Sequence, residues 1–206
     1  MVEQRQLPSE SVRRELLVYD KGWLDNSIQR LNEVLKPRDC VAVLRLGAAA
    51  SKDEVRDCED RISVPLPRSY KELLESSNGL TLRVHPIGKE HIVEHWYYQV
   101  RIPSAAECTD LTLRLRRYVA DEVTWERPGF HEAAVTFVTR MIALDAANDM
   151  IIAFHAAQGD PVFMMDVSDY SNADSPYIRI ASSLHDHLRR SIEHMMAEDG
   201  SFQYWY

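Results

Sequence analysis

Leu24, Ile28, Leu31 and Leu35 recur at three- and four-residue spacing, which predicts a helix stopped by Pro37. Val12, Leu16 and Leu17 suggest a shorter helix before it. Val41 to Leu46 is an apolar run that suits a strand or a helix equally, and Gly47 with the alanines after it forms a joint. Val55, Cys58 and Ile62 mark the next helix, opened by a capping box between Ser51 and Glu54 and closed by Val64-Pro65. Leu66-Pro67, Tyr70, Leu73, Leu74 and Ser77 give a further helix, ended by Asn78-Gly79. Pro67 suits the first turn, where an N–H has no partner to lose, and Asn78-Gly79 tolerate left-handed geometry.

Alternation then replaces helical spacing. Leu80, Leu82 and Val84 alternate with Thr81, Arg83 and His85, as in a half-buried strand. Ile92 to Ile102 alternates again, with Ile92, Trp96, Tyr98 and Val100 on one face. Ser104 and Glu107 form a second capping box, followed by Cys108, Leu111, Leu115, Tyr118 and Val119 on one helical face. Asp121 to Glu132, with Trp125, Pro128 and Gly129, reads as a loop. Four strands are expected at Ala134 to Leu144, Met150 to Ala156, Pro161 to Val167 and Tyr177 to Ala181, with turn chemistry at Asn148-Asp149 and Gln158-Gly159-Asp160. Ser183 and Asp186 cap a last helix with Leu184, Leu188, Ile192, Met195 and Met196 inward. Helices come first and last with strands between, an α+β order. The expected fold is a central, mostly antiparallel sheet of about six strands with helices on one side. The expected division is an N-terminal helical extension over 1–47 and one α+β domain over 48–206.

Composition adds bounds. The chain has 206 residues and a formal net charge of −8, which disfavours nucleic acid as a partner because phosphates need Lys and Arg clusters. The densest basic cluster, Arg114, Arg116 and Arg117, reads as the solvated side of a helix. The three cysteines, Cys40, Cys58 and Cys108, are far apart and odd in number, which fits a reducing compartment, and Cys58 and Cys108 fall on apolar helical stripes, where buried free thiols are expected. The start of the chain is polar, and no apolar run reaches the roughly 20 residues of a membrane helix. A cytoplasmic location without membrane contact is expected.

Catalytic chemistry finds little footing. His91 and His95 share a strand face but lie about 13 Å apart, too far for one metal ion. His155, His185 and His187 read as polar surface histidines, and His194 suits a helix C-terminus. Asp145, Asp149, Asp160 and Asp166 surround two turns, where acids are common for backbone reasons. The sequence holds no nucleophile elbow, phosphate loop or dinucleotide fingerprint. No catalytic residue, metal or cofactor is expected. Binding features are more numerous. Trp125 stands among Asp121, Glu122 and Glu126, an aromatic among acids that suits a hot spot against a basic surface, or pins its own loop to the core. Asp166, Asp169 and Asp174 make a second acidic loop around Tyr170. Tyr204, Trp205 and Tyr206 suit the sealing of a core edge or a homodimer contact.

The ordered series of motifs resembles the SUKH superfamily. Ser51 through Glu59 looks like its first helix, and Leu66-Pro67, Tyr70 and Asn78-Gly79 match its LP…Y…NG helix. Ile102-Pro103-Ser104 with Glu107 is similar to its strand-to-helix step, Ala143 to Asp166 to its hairpin of short strands, and Ala181 to Leu188 to its closing helix. The resemblance spans about residues 48 to 197. It implies a protein-binding domain without a shared catalytic constellation. Members are similar to fungal regulators of cell-wall glucan synthesis, and many in bacteria are immunity proteins. The reading that follows is an immunity protein that neutralises a cognate toxin with a basic surface by direct binding. The competing reading is a regulatory or scaffold module of the same fold.

Overall fold

A computed structural model describes residues 21–90, 98–121, 123, 129–147, 150–167 and 175–197. The described elements run α1 (Lys21–Leu35), a 3-10 turn (Lys36–Arg38), β1 (Cys40–Leu46), α2 (Lys52–Ile62), α3 (Arg68–Ser76), β2 (Leu80–Pro86), β3 (Tyr98–Ile102), α4 (Ala105–Asp121), α5 (Phe130–Val138), β4 (Met141–Ala147), β5 (Met150–His155), β6 (Val162–Asp166), β7 (Tyr177–Ala181) and α6 (Leu184–Met196). The expected first helix, residues 91–97, the Asn148-Asp149 turn and the aromatic tail lie outside the described residues.

In place of one sheet of about six strands, the described strands form two antiparallel sheets, ordered β1-β2-β3 and β4-β5-β6-β7. Helix α4 supplies the reason. Thr112 Oγ1 accepts the N–H of Ala143 at 2.9 Å, and Arg116 Nε and Nη2 donate to the carbonyl of Met141 at 3.1 and 2.7 Å. These are main-chain groups on the outer edge of β4, so side chains of α4 close an edge that another strand would otherwise pair with.

The expectation of helices on one side is corrected too, because the second sheet is covered on both faces. Ile142, Leu144, Ile152, Phe154 and Val162 face a large core shared with α1, α2, α3, α6 and the first sheet. Met141, Ala143, Ile151, Ala153, Phe163 and Met165 face a smaller core under α4 and α5. Both faces are buried, so both must be apolar, and β4 to β6 read as runs rather than alternations. Helix α4 bridges the two, with Ala105 and Cys108 in the large core and Leu115 and Val119 in the small one.

Residues 130–138 are a helix, although a strand is expected from Ala134 onward. Ala134, Phe137 and Val138 are the buried positions, at three- and four-residue spacing. The apolar run of β4 follows after two residues and blurs that period. Within the first 47 residues, the described helix and strand are built into the large core through Leu24, Leu31, Leu35, Cys40 and Ala42, and β1 pairs with β2 from Cys40 to Leu46. The thiols of Cys40, Cys58 and Cys108 are all buried and free.

Candidate functional site

The outward side of α4 carries the candidate surface. Its opposite side is held by Thr112 and Arg116. The Arg116 guanidinium also donates through Nη1 to the carbonyl of Ile62 at 2.7 Å, at the C-terminal end of α2, where a cation meets free carbonyls and the negative end of the helix dipole. Arg116 is therefore not on a solvated face. Burial lowers its pKa from the ordinary arginine value.

Along its C-terminal half the exposed positions are Leu113, Arg114, Arg117, Tyr118 and Asp121. Leu113, Arg114, Arg117 and Tyr118 border a depression of about 590 Å³. Tyr118 stands 36% exposed, which corrects its expected inward place. Thr109 and Thr112 are buried on the inward side instead. Helical spacing from Cys108 runs through Thr112, Leu115 and Val119, and hydrophobicity alone skips the threonine. Thr109 Oγ1 donates to the Ala105 carbonyl at 2.9 Å and Thr112 caps β4, so both hydroxyls are satisfied inside.

Of the residues expected to bind a partner, two are described. Asp121 is the exposed last residue of α4, and Asp166 is the half-buried last residue of β6. The Asp166 N–H donates to the Pro176 carbonyl at 3.1 Å. Glu122, Trp125, Glu126, Asp169, Tyr170 and Asp174 lie outside the described residues. Val123 and Val167 both pack on the small core, so the segments that carry the two acidic groups are rooted on the same core. The sequence pattern alone does not pick out Leu113, Arg114, Arg117 or Tyr118 as a surface, since Tyr118 reads as core and the arginines as solvated.

The turn acids bond or bury within the fold, and the histidines read as surface groups pack against it. Asp160 Oδ1 accepts the Ser69 N–H at 2.8 Å, capping α3, whose own N-cap, Pro67, has no side-chain acceptor. Burial raises the Asp145 carboxyl above the usual carboxylate range. His185 packs on Trp23 with ring centroids 4.3 Å apart. His155 lies against Phe137, and burial, then Arg140, lowers its pKa. Burial pulls His187 down to about 4, against the opposing pull of Asp186. None of these three is the free surface histidine expected.

The motif residues converge on one joint. Tyr70 Oη donates to the Pro103 carbonyl at 2.8 Å, and Asn78 Oδ1 accepts the Ala105 N–H at 2.8 Å. Gly79, with φ of +97°, lies so close that an added Cβ would sit 2.9 Å from the Ser104 nitrogen. Asn78 itself does not end α3 in a left-handed conformation; Ser77 is the C-cap and is extended. Glu59 Oε1 accepts the Leu66 N–H at 2.7 Å and pairs with Lys71 Nζ at 2.6 Å, fixing the turn between α2 and α3.

A family model, the SMI1 / KNR4 family (SUKH-1), matches residues 49–194. The chain belongs to the SMI1 / KNR4 family. The match begins just ahead of the Ser51 cap of α2 and ends inside α6, so it takes in both capping boxes, the Tyr70–Asn78 joint and the whole second sheet. The described α1 and β1 precede it and share its large core. No curated protein matches the chain. Among the described residues no helix of this SUKH domain is long and apolar enough to cross a membrane.

Proposed function

We propose that this SUKH domain is a protein-binding domain that acts as an immunity protein, neutralising a cognate toxin by direct contact in the cytoplasm, without cofactor or catalysis. The observation that carries the reading is the SUKH-1 match across residues 49–194. The surface chemistry of α4 supports it. An exposed tyrosine and leucine beside two arginines have the composition of an interface hot spot, and α4 is held rigidly from behind. The acidic residues Asp121, Glu122 and Glu126, with Trp125 among them, would meet a basic patch of the toxin. Asp166, Asp169 and Asp174, with Tyr170, would extend the contact from the other segment rooted on the small core.

Charge at a rim acts mostly on the encounter rate. Replacing Asp121, Glu122 and Glu126 together with alanine should slow association about tenfold at low salt and flatten its salt dependence. Association kinetics unchanged by the triple substitution would exclude this segment from the interface.

A further inference from the structure

The outer face of the first sheet carries a second, oppositely charged feature. Arg45 pairs in register with Thr81, and Thr81 with Arg101. Arg83 lies one row along, between Val43 and Gln99. Residues two apart share a face, so three guanidiniums from three adjacent strands stand on one side, with diagonal neighbours about 7–8 Å apart at their roots. They line a depression of about 470 Å³, closed on one side by the backbone of Gly47, Asn78 and Gly79. That wall is firm: Gly47 N–H donates to the Gly79 carbonyl at 3.1 Å, and Asn78 N–H to the Ala48 carbonyl at 2.7 Å.

Like charges side by side on a sheet are destabilising, and this chain places them there despite its net charge of −8. Internal compensation is uneven. Arg101 Nη2 pairs with Glu107 Oε1 at 2.5 Å, but the other oxygen of Glu107 is held by the Ser104 N–H and hydroxyl of the capping box. Arg83 Nε donates to Gln99 Oε1 at 2.6 Å across the adjacent strand. Arg45 is exposed and has no carboxylate partner among the described residues. Burial, then Arg45 and Arg101, lower the pKa of Arg83, as expected of a cation crowded by cations.

We propose that Arg45, Arg83 and Arg101 form a docking site for the carboxylate side chains of an acidic segment of a partner protein. Planar guanidiniums take carboxylates two hydrogen bonds at a time, and a bound acidic loop would remove the mutual repulsion of the row. Thr81, between Arg45 and Arg101, adds a hydroxyl at the floor. The site asks only for an acidic segment, so it does not depend on the partner being a toxin. It also lies on a different sheet from the acidic segments that would face a basic surface.

The test uses the full chain and a capped pentapeptide, Gly-Asp-Glu-Asp-Gly, at fixed ionic strength, with binding followed by amide chemical shifts and calorimetry. The peptide is expected to move the amides of residues 45, 81, 83 and 101, and Arg45→Glu to weaken it at least about tenfold while leaving the unfolding midpoint within a few degrees. Asp121→Ala should leave this titration unchanged, which separates the site from the acidic surface. An affinity that Arg45→Glu does not alter overturns the proposal. So does inorganic phosphate binding the row as tightly as the peptide, since the row would then be a general anion site.

Discussion

The side-chain carbonyl of Asn78 caps the N-terminus of α4 from 27 residues away, accepting the Ala105 N–H at 2.8 Å. Ser104 and Glu107 cap the same end reciprocally, and Tyr70 holds the Pro103 carbonyl just before it. The start of α4 is thus set by α3, and α4 in turn carries the candidate surface. The placement of the candidate surface therefore depends on a joint that lies outside it.

Removing Asn78 from that joint should lower stability. Asn78→Ala is expected to cost about 1–2 kcal/mol, the range for losing a helix cap, and Tyr70→Phe about 1 kcal/mol. Their sites adjoin at residues 103–105, so the double variant should depart from additivity by at least about 0.5 kcal/mol. Urea unfolding of the four proteins measures this. Strict additivity would show that the two contacts do not act on one joint.

Arg116 ties together α4, the end of α2 and the edge of β4. Arg116→Met keeps the apolar stem but strands the carbonyls of Met141 and Ile62, and should cost about 2–3 kcal/mol. Arg116→Lys, with one point charge in place of a fork, should recover only part of this. Arg114→Met and Arg117→Met, on the exposed side, should stay within about 0.5 kcal/mol of the parent. Equal effects at 116 and 117 would contradict the geometry.

His187 gives stability a pH dependence of definite sign. Its folded pKa of about 4 lies below its ordinary value of 6.5, so the unfolded chain binds more protons between these limits. Its contribution is fully present above pH 6.5 and is lost as the pH falls toward 4, on the order of 3 kcal/mol in all. Asp186 acts at lower pH. Burial alone would raise its carboxyl, but the Ser182 N–H and the guanidiniums of Arg190 and Arg189 outweigh it and hold it well below the usual range. Urea midpoints measured from pH 7.5 to 4 should therefore fall, and His187→Leu should flatten the fall. Parallel curves for the two proteins would show that His187 is not held neutral by the fold.

Much of the fold was legible because helix ends are written locally. Ser51 with Glu54, Ser104 with Glu107, and Ser183 with Asp186 each make the cap their spacing predicts. The two-sheet division was not legible, because it depends on Thr112 and Arg116 reaching a strand 25 to 31 residues away. Helix α5 was hidden by the apolar strand that follows it. Of the candidate site, charge alone points to Asp121 and Asp166, whereas the Tyr118 and Leu113 surface appears only once the burial of Thr112 shows which way α4 is turned. The arginine row escapes a one-dimensional search because its members are 38, 18 and 56 residues apart and meet only through strand register.

Exposed Tyr118 and Leu113 should contribute to partner affinity rather than to the core. Tyr118→Ala is expected to leave the urea midpoint nearly unchanged and to raise the dissociation rate of the partner complex by about tenfold or more. A large loss of stability with no change in dissociation would return Tyr118 to the core.

The decisive measurement mixes this chain with the purified protein encoded by the reading frame beside its own, following complex formation by calorimetry and the partner's toxic activity in the same samples. A stable one-to-one complex in which that activity disappears is the predicted result. Mixing that gives no heat, or a complex that leaves the activity intact, would contradict neutralisation by direct binding.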